Sequence, residues 1–229
     1  MFFSSNEIVM RQFKKEQKQF LQLGYNDQLE LGDIFEWDGW RTRIIRKQTL
    51  SRLGIDFVIE DGSSVDDGRK IASESGVTVD SDVVNFSGKS RYLMQAYKAQ
   101  KKFIDTLELC DQITQKIANG NLQWNKKWII VTEICHAESY CRFISGAKSS
   151  SVKFNIADLL DANIADPNVS VKLATGINST DSIINRRNCK PYFKGVKYRR
   201  DGRHYSLMPY AASWRDKIQE FDLFGSQID

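Results

Sequence analysis

Eight basic side chains fall close together near the C-terminal end of the chain, Arg186, Arg187, Lys190, Lys194, Lys197, Arg199, Arg200 and Arg203, with Asp201 as the only acid among them. Guanidinium and ammonium groups at this density attract phosphate, on anionic lipid or on nucleic acid, through a field that acts before any specific contact forms. The same residues also suit the solvated face of alternating strands, where charge keeps a sheet edge from pairing with other chains. Tyr192, Phe193, Tyr198 and Tyr205 are interleaved with them and are available to stack on the bases of a single strand.

Elsewhere the chemistry-bearing residues are sparse. There are only two histidines, His136 and His204, which leaves little for metal ligation or imidazole acid/base work. Cys135 and His136 are adjacent, but neighbours on a strand point to opposite faces, so this thiol and imidazole do not meet. Neither Gly-x-x-x-x-Gly-Lys-Ser/Thr nor Gly-x-Gly-x-x-Gly occurs, so no phosphate-cradling loop is signalled. Asp56, Glu60, Asp61, Asp66 and Asp67 crowd one stretch, yet the spacing of an EF-hand loop is absent and an exposed acidic turn is the plainer reading. No enzyme, metal or cofactor is expected.

The chain that must position these residues has 229 residues, 41% apolar content and a formal net charge of +4, enough for one large domain with a small appendage. No apolar stretch approaches the roughly 18 residues of a membrane-spanning helix, and Met1-Phe2-Phe3-Ser4-Ser5 lacks the basic and long apolar regions of a secretory signal, so the cytoplasm is the expected compartment. Cys110, Cys135, Cys141 and Cys189 form no Cys-x-x-Cys pair and read as reduced, buried thiols. Disorder is expected only near the ends and in the loop Asp61–Gly68.

Periodicity supplies the elements. Ser5-Asn6-Glu7 before Ile8, Met10, Phe13, Phe20 and Leu21 predicts a capped helix running to about Leu23, with Lys14, Lys15, Glu16 and Lys18 on its wet face. Leu29–Ile34 and Trp40–Ile45 read as strands joined through Trp37-Asp38-Gly39, Ile55–Glu60 as a third, and Gly76–Phe86 alternates weakly. A helical period from Lys89 to about Asn119, through Tyr92, Leu93, Ala96, Ala99, Phe103, Leu107 and Ile113, predicts one long helix that Gly120 ends. Apolar and polar residues then alternate through Trp128–Ser145, Ser151–Ala157, Val169–Ala174 and Tyr192–Leu207, the last a basic hairpin. Val152, Phe154 and Ile156 oppose Ser151, Lys153 and Asn155, while Val169, Val171 and Leu173 oppose Ser170 and Lys172. Trp128-Ile129-Ile130-Val131 is apolar on both sides, as a central covered strand must be. The expected fold is α+β, a bent and mainly antiparallel sheet with helices packed on it. In the tail, Trp214, Ile218 and Phe221 recur at helical spacing, with Leu223 and Phe224 beyond, which gives either a terminal helix covering the sheet or a releasable plug.

Three strings placed in order resemble the pore-forming half of bacterial gasdermins: Phe20-Leu21-Gln22-Leu23-Gly24-Tyr25 closing the opening helix, the strand Trp128-Ile129-Ile130-Val131-Thr132-Glu133-Ile134, and Lys190-Pro191-Tyr192-Phe193 before the hairpin Val196–Leu207 that closes on Met208-Pro209. The resemblance covers residues 8–209. It implies a gasdermin N-domain-like fold over 1–209 and an autoinhibitory tail over 210–229. It also implies cleavage by an activating protease near Tyr210, Ala211, Ala212 and Ser213, then homo-oligomerisation in anionic membrane at the inner membrane. In bacteria such proteins look like cell-death effectors in antiphage defence. The hairpin-forming regions carried over are Gly54–Gly88 and Cys141–Ile177, and the lipid-binding residues are the eight basic ones. The chain departs from the pattern in beginning Met1-Phe2-Phe3 with its first cysteine at Cys110, so a lipidated N-terminal cysteine is not expected. The first hairpin region is also rich in charge, from Asp61 and Asp66 to Asp80 and Asp82, and a Lys or Arg facing lipid near the midplane costs about 2–4 kcal/mol. The alternative from the same residues is a soluble binding or assembly module whose basic patch meets a protein or nucleic-acid partner.

Overall fold

A computed structural model describes residues 5–22, 29–38, 43–65, 70–80, 82–88, 91–145, 149–155, 163–167, 173–177, 179–201 and 204–209. The chain opens with α1 (Ser5–Gln17) and a short strand β1 (Phe20–Leu21), then the hairpin β2 (Asp33–Asp38) and β3 (Arg43–Thr49). Next come β4 (Ile59–Val65), β5 (Lys70–Ala72), β6 (Val77–Val79), β7 (Val83–Ser87), β8 (Arg91–Ile104) and α2 (Thr106–Ala118). The rest is β9 (Trp128–Ser145), β10 (Ser149–Phe154), β11 (Leu173–Ile177), β12 (Ser179–Cys189), β13 (Tyr192–Asp201) and β14 (His204–Pro209).

The fold is α+β and its pairings are antiparallel, as the alternation implies, with β9 as the spine. One side of β9 is taken by β8 and then by β2, the other by β12 and then by β13. A strand so enclosed must be apolar on both faces. Ile129, Ile130, Val131 and Ile134 are accordingly buried, and their side chains divide between two cores. A smaller sheet of β6, β7, β10 and β11 packs against the large one.

Helix α1 lays Val9, Met10 and Phe13 on Tyr92, Met94, Tyr140 and Ile144, and α2 lays Leu109, Cys110 and Ile113 on Ile34, Ile104, Ile130 and Val196. The large sheet bends where β8 and β9 change face together. Tyr92, Met94, Tyr140 and Ile144 face α1, yet so do Ala99, Ala137 and Cys135, which break the alternation. The switch falls at Lys98, whose φ of 45° is left-handed and whose ammonium meets Glu138 at 3.0 Å.

The long helix expected over Lys89–Asn119 is the largest correction. Residues 91–104 are a strand, and the helix begins only after Asp105, whose carboxylate accepts from the Leu107 amide at 2.7 Å. Tyr92, Leu93, Met94 and Gln95 are buried in succession, a two-sided burial that β9 and both covering layers impose and that a helical stripe does not allow. The end at Gly120 stands, with a φ of 73°.

Shorter corrections follow the same logic. The opening helix stops at Gln17, where Lys18 turns to a φ of 56°, so Phe20 and Leu21 leave it to pair with Phe193 and Tyr192. Leu29–Leu31 lies ahead of the first strand rather than in it. Gly32, at a φ of 80°, donates to the Val131 carbonyl and sits against the Phe57 ring, which starts β2 at Asp33. Trp37 and Asp38 then belong to β2, not to the turn, and β3 starts at Arg43. Asp61-Gly62-Ser63-Ser64, read as loop, is strand because β8 offers it a partner, with a bulge between Asp61 and Ser64. Gly76–Phe86 holds two strands, β6 and β7, that pair with each other. Ile156, Val169, Val171 and residues 210–229 lie outside the described residues, and with them Tyr210, Ala211, Ala212, Ser213, Trp214, Ile218, Phe221, Leu223 and Phe224.

Candidate functional site

The basic run does not form one patch. Strand β13 sends Val196 and Tyr198 into the core beneath α2, so Lys197 and Arg199 stand on the opposite face. Lys194 has the parity of Val196 and Tyr198 and so lies on their face, where it lines a cavity of about 220 Å³ with Phe103, Ile104, Glu133, Val196 and Leu207. Lys190 is paired with Glu30 and Arg187 is exposed on β12. The side chains of Arg186 and Arg200, and Arg203 altogether, lie outside the described residues.

What the fold adds is Lys14 of α1. Its ammonium stands 5.3 Å from the Phe20 ring centre and 5.4 Å from that of Trp37. Burial, and then the charge of Lys197, lower its pKa to about 8. Lys197 is lowered in turn by burial and then by Arg199. Lys14 thus stands against Phe20 and Trp37 with Lys197 close enough to repel it, and Lys197 is repelled in turn by Arg199, a run of cations with an aromatic at one end that attracts anions. The sequence places Lys14 on a wet helix face and Trp37 in a turn, and no local spacing links either to Lys197.

The aromatics offered for base stacking are used otherwise. Tyr192 is 3% exposed, Phe193 1% and Tyr198 6%, all committed to the core, and only Tyr205 reaches solvent at 38%. Tyr205 already stacks on Tyr198, with ring centres 5.2 Å apart.

No catalytic set emerges among the described residues. Cys135 is buried and its pKa is raised to about 11, chiefly by that burial. His136 is only half-buried, and its pKa is lowered by burial and then by Lys190 and Lys102. All four cysteines are buried free thiols, and no metal-holding cluster of His, Cys, Asp or Glu occurs among the described residues.

The two hairpin-forming regions, Gly54–Gly88 and Cys141–Ile177, do meet. They supply β6 and β7 on one hand and β10 and β11 on the other, and β7 pairs with β10 to make the smaller sheet. Its inner face is Val77, Val79, Val84, Phe86, Val152 and Phe154, packed on Leu93, Cys141 and Phe143 of the large sheet, with the buried Ser150 opposite Phe86 on the same side. Its outer face carries Thr78, Asn85, Ser87, Ser149 and Ser151, which border a cavity of about 360 Å³. The charges of this sheet gather at one end: Lys153 pairs with Asp82 at 3.2 Å, and Asp80 accepts from Asn85 at 3.1 Å. Asp61 of β4, in the large sheet, pairs with Lys102 at 3.5 Å. None of the described residues on the inner face of the smaller sheet is charged. No described helix is long and apolar enough to cross a membrane.

No protein-family model matches the chain, and no curated protein matches it. Solved structures similar to it include the cryo-EM structure of the gasdermin A3 membrane pore, with a TM-score of 0.36 and 11% identity over 91% of this chain and 95% of that one.

Proposed function

We propose that this chain is a pore-forming protein of the gasdermin type that inserts two β-hairpins into anionic membrane and oligomerises there. The supporting observation is the smaller sheet. Two sequence-distant hairpin regions are held together so that, among the described residues, one face is apolar apart from Ser150 and the other is mainly polar, with hydroxyls, Asn85 and Lys153, the two-sided pattern that a strand between lipid and water requires. Of the charges that count against insertion from sequence alone, Asp80 and Asp82 lie at its end, in a hydrogen bond and an ion pair, and Asp61 belongs to the large sheet. Lys14, Lys197 and Arg199 supply the attraction to anionic headgroups, each Lys or Arg near such a surface being worth about 1 kcal/mol, and Trp37 supplies an interfacial aromatic.

In this reading residues 210–229 hold the protein inactive, a protease cutting between Tyr210 and Ser213 releases it, and the protein moves from cytoplasm to inner membrane. It supports a cell-death role rather than an enzymatic one. Dye release from phosphatidylglycerol-rich or cardiolipin-rich liposomes tests it, comparing the full chain with a fragment ending at Tyr210. Leakage from the fragment alone is the expected result. Silence from both returns the protein to the soluble assembly module, whose stacking version the buried Tyr192, Phe193 and Tyr198 already disfavour.

A further inference from the structure

Each strand of the smaller sheet adjoins in sequence a strand of the larger one: β5 leads to β6, β7 to β8, β9 to β10 and β11 to β12. Neighbours are also conserved. The large sheet has the order β5, β8, β9, β12, and the smaller one β6, β7, β10, β11.

In the central pair the match reaches single residues. Arg91 faces Ser145 at the end of the β8–β9 ladder. Four residues back along one strand and four forward along the other, Ser87 faces Ser149, and the same register continues through Asn85 and Ser151 to Val83 and Lys153. The outer pairs lack this continuity. Relative to Ala72 facing Leu93, the pairing of Val77 with Phe86 is slipped by two residues, and relative to Ser179 facing Ser145, the pairing of Ser151 with Ile177 is slipped by four. Both slips are even, so each strand keeps its faces. Two ladders that pair independently have no reason to share one register, whereas a single ladder doubled back on itself must.

We infer that β7–β8 and β9–β10 are one continuous ribbon stored folded back, and that insertion straightens both strands together while every β7–β10 pair is kept. This rests on the pore-forming reading and deepens it. Val84, Phe86, Val152 and Phe154 share one parity, with Ser150 among them, and Asn85, Ser151 and Lys153 share the other with Val83, so the straightened ribbon presents a mainly apolar strip to lipid and a mainly polar strip to water. Only the outer strands have to slip.

Two engineered disulfides in the full chain separate the possibilities. The Ser145 and Ser150 hydroxyls are hydrogen-bonded at 2.5 Å across the doubled-back strand. In a straight strand their Cα atoms stand roughly 16 Å apart, at about 3.3 Å per residue, and a disulfide spans at most about 7 Å. The double variant S145C/S150C, activated by proteolysis within 210–213 and added to phosphatidylglycerol vesicles, is therefore expected to lose leakage when oxidised and regain it on reduction. The variant N85C/S151C ties a register pair and is expected to leak equally in both redox states. Leakage from reduced but not oxidised N85C/S151C overturns the inference, as does leakage from oxidised S145C/S150C or failure of the N85C/S151C disulfide to form in the resting protein. Silence from the parent chain and from both reduced variants instead overturns the pore-forming reading itself, and the inference with it.

Discussion

The body of the molecule and its smaller sheet bury apolar surface in different ways. In the body, Phe20 stacks on Phe193 with centres 5.2 Å apart, Phe35 meets both edge-on, and further layers under α1 and α2 close the large sheet from both sides. Among the described residues the smaller sheet buries one face, chiefly valines, against the large sheet and carries mainly polar side chains on the other. Closely packed aromatic layers make a region open only with global unfolding, while a one-sided sheet with few large side chains is the kind of unit that opens first. A protein that keeps a stable body while committing one part to rearrangement needs that division.

The sharpest way to break the comparison is to empty each core. Phe193→Ala removes a ring fixed on both sides and is expected to lower global stability by about 3–5 kcal/mol in urea unfolding. Phe154→Ala, beside Phe143 at 5.1 Å, is expected instead to speed hydrogen exchange of β7 and β10 amides while those of β9 near Val131 stay protected. Equal global loss from both, with no local opening, removes the distinction.

Next comes Gly195, where an added Cβ would meet Ile129 at 2.6 Å and Phe35 at 3.3 Å. Gly195→Ala is expected to cost about 1–3 kcal/mol by overpacking the body, read from the same denaturation curve. A comparable loss is expected from Tyr92→Phe. The Tyr92 hydroxyl donates to Glu16 at 2.6 Å and accepts from Gln17 at 3.2 Å, so its removal frees the end of α1 from β8 for about 1.5 kcal/mol or slightly more. Helix protection measured by hydrogen exchange should fall with it. Ser151→Asp, on the outer face of the smaller sheet, is expected to change stability by less than about 0.5 kcal/mol. A large loss there shows the face to be covered.

A pH titration probes the body through Lys14. Its folded pKa of about 8 lies below the unfolded value of 10.5, because burial and then Lys197 disfavour the charged form. Between those values the unfolded chain binds more protons, so this group makes stability rise as pH goes from about 8 to 10.5. Lys14→Met should flatten that part of the pH profile relative to the parent in paired urea titrations, and binding to anionic vesicles should weaken over the same rise in pH.

Much of the strand content was legible without tertiary information. Alternation from Trp128 to Ser145, the basic hairpin through Tyr192–Leu207 and the stop at Gly120 all follow from short-range periodicity, and each appears at or near its expected place. The stretch 91–104 misleads because Tyr92, Leu93, Ala96 and Ala99 fit a helical stripe by spacing, while the burial of four consecutive residues is set by layers far away in sequence. The candidate site shows the same limit. The eight basic residues are plain in the sequence, but which of them share a face depends on where β13 runs and what it covers, Lys190 is taken by Glu30, and the cationic face gains Lys14 from the opposite end of the chain.

By itself, then, the sequence determined which segments are amphipathic, that β9 must be covered on both faces, and that Val152 and Phe154 oppose Ser151 and Lys153, because side-chain direction alternates with every residue of an extended chain. Only the tertiary structure decided that 91–104 pairs as a strand, that Lys14 stands beside Lys197, and that β7 meets β10 in the register of β8 and β9. Those facts are pairings between distant segments, and a pairing is chosen by the surface it buries and the hydrogen bonds it completes, which no single segment carries.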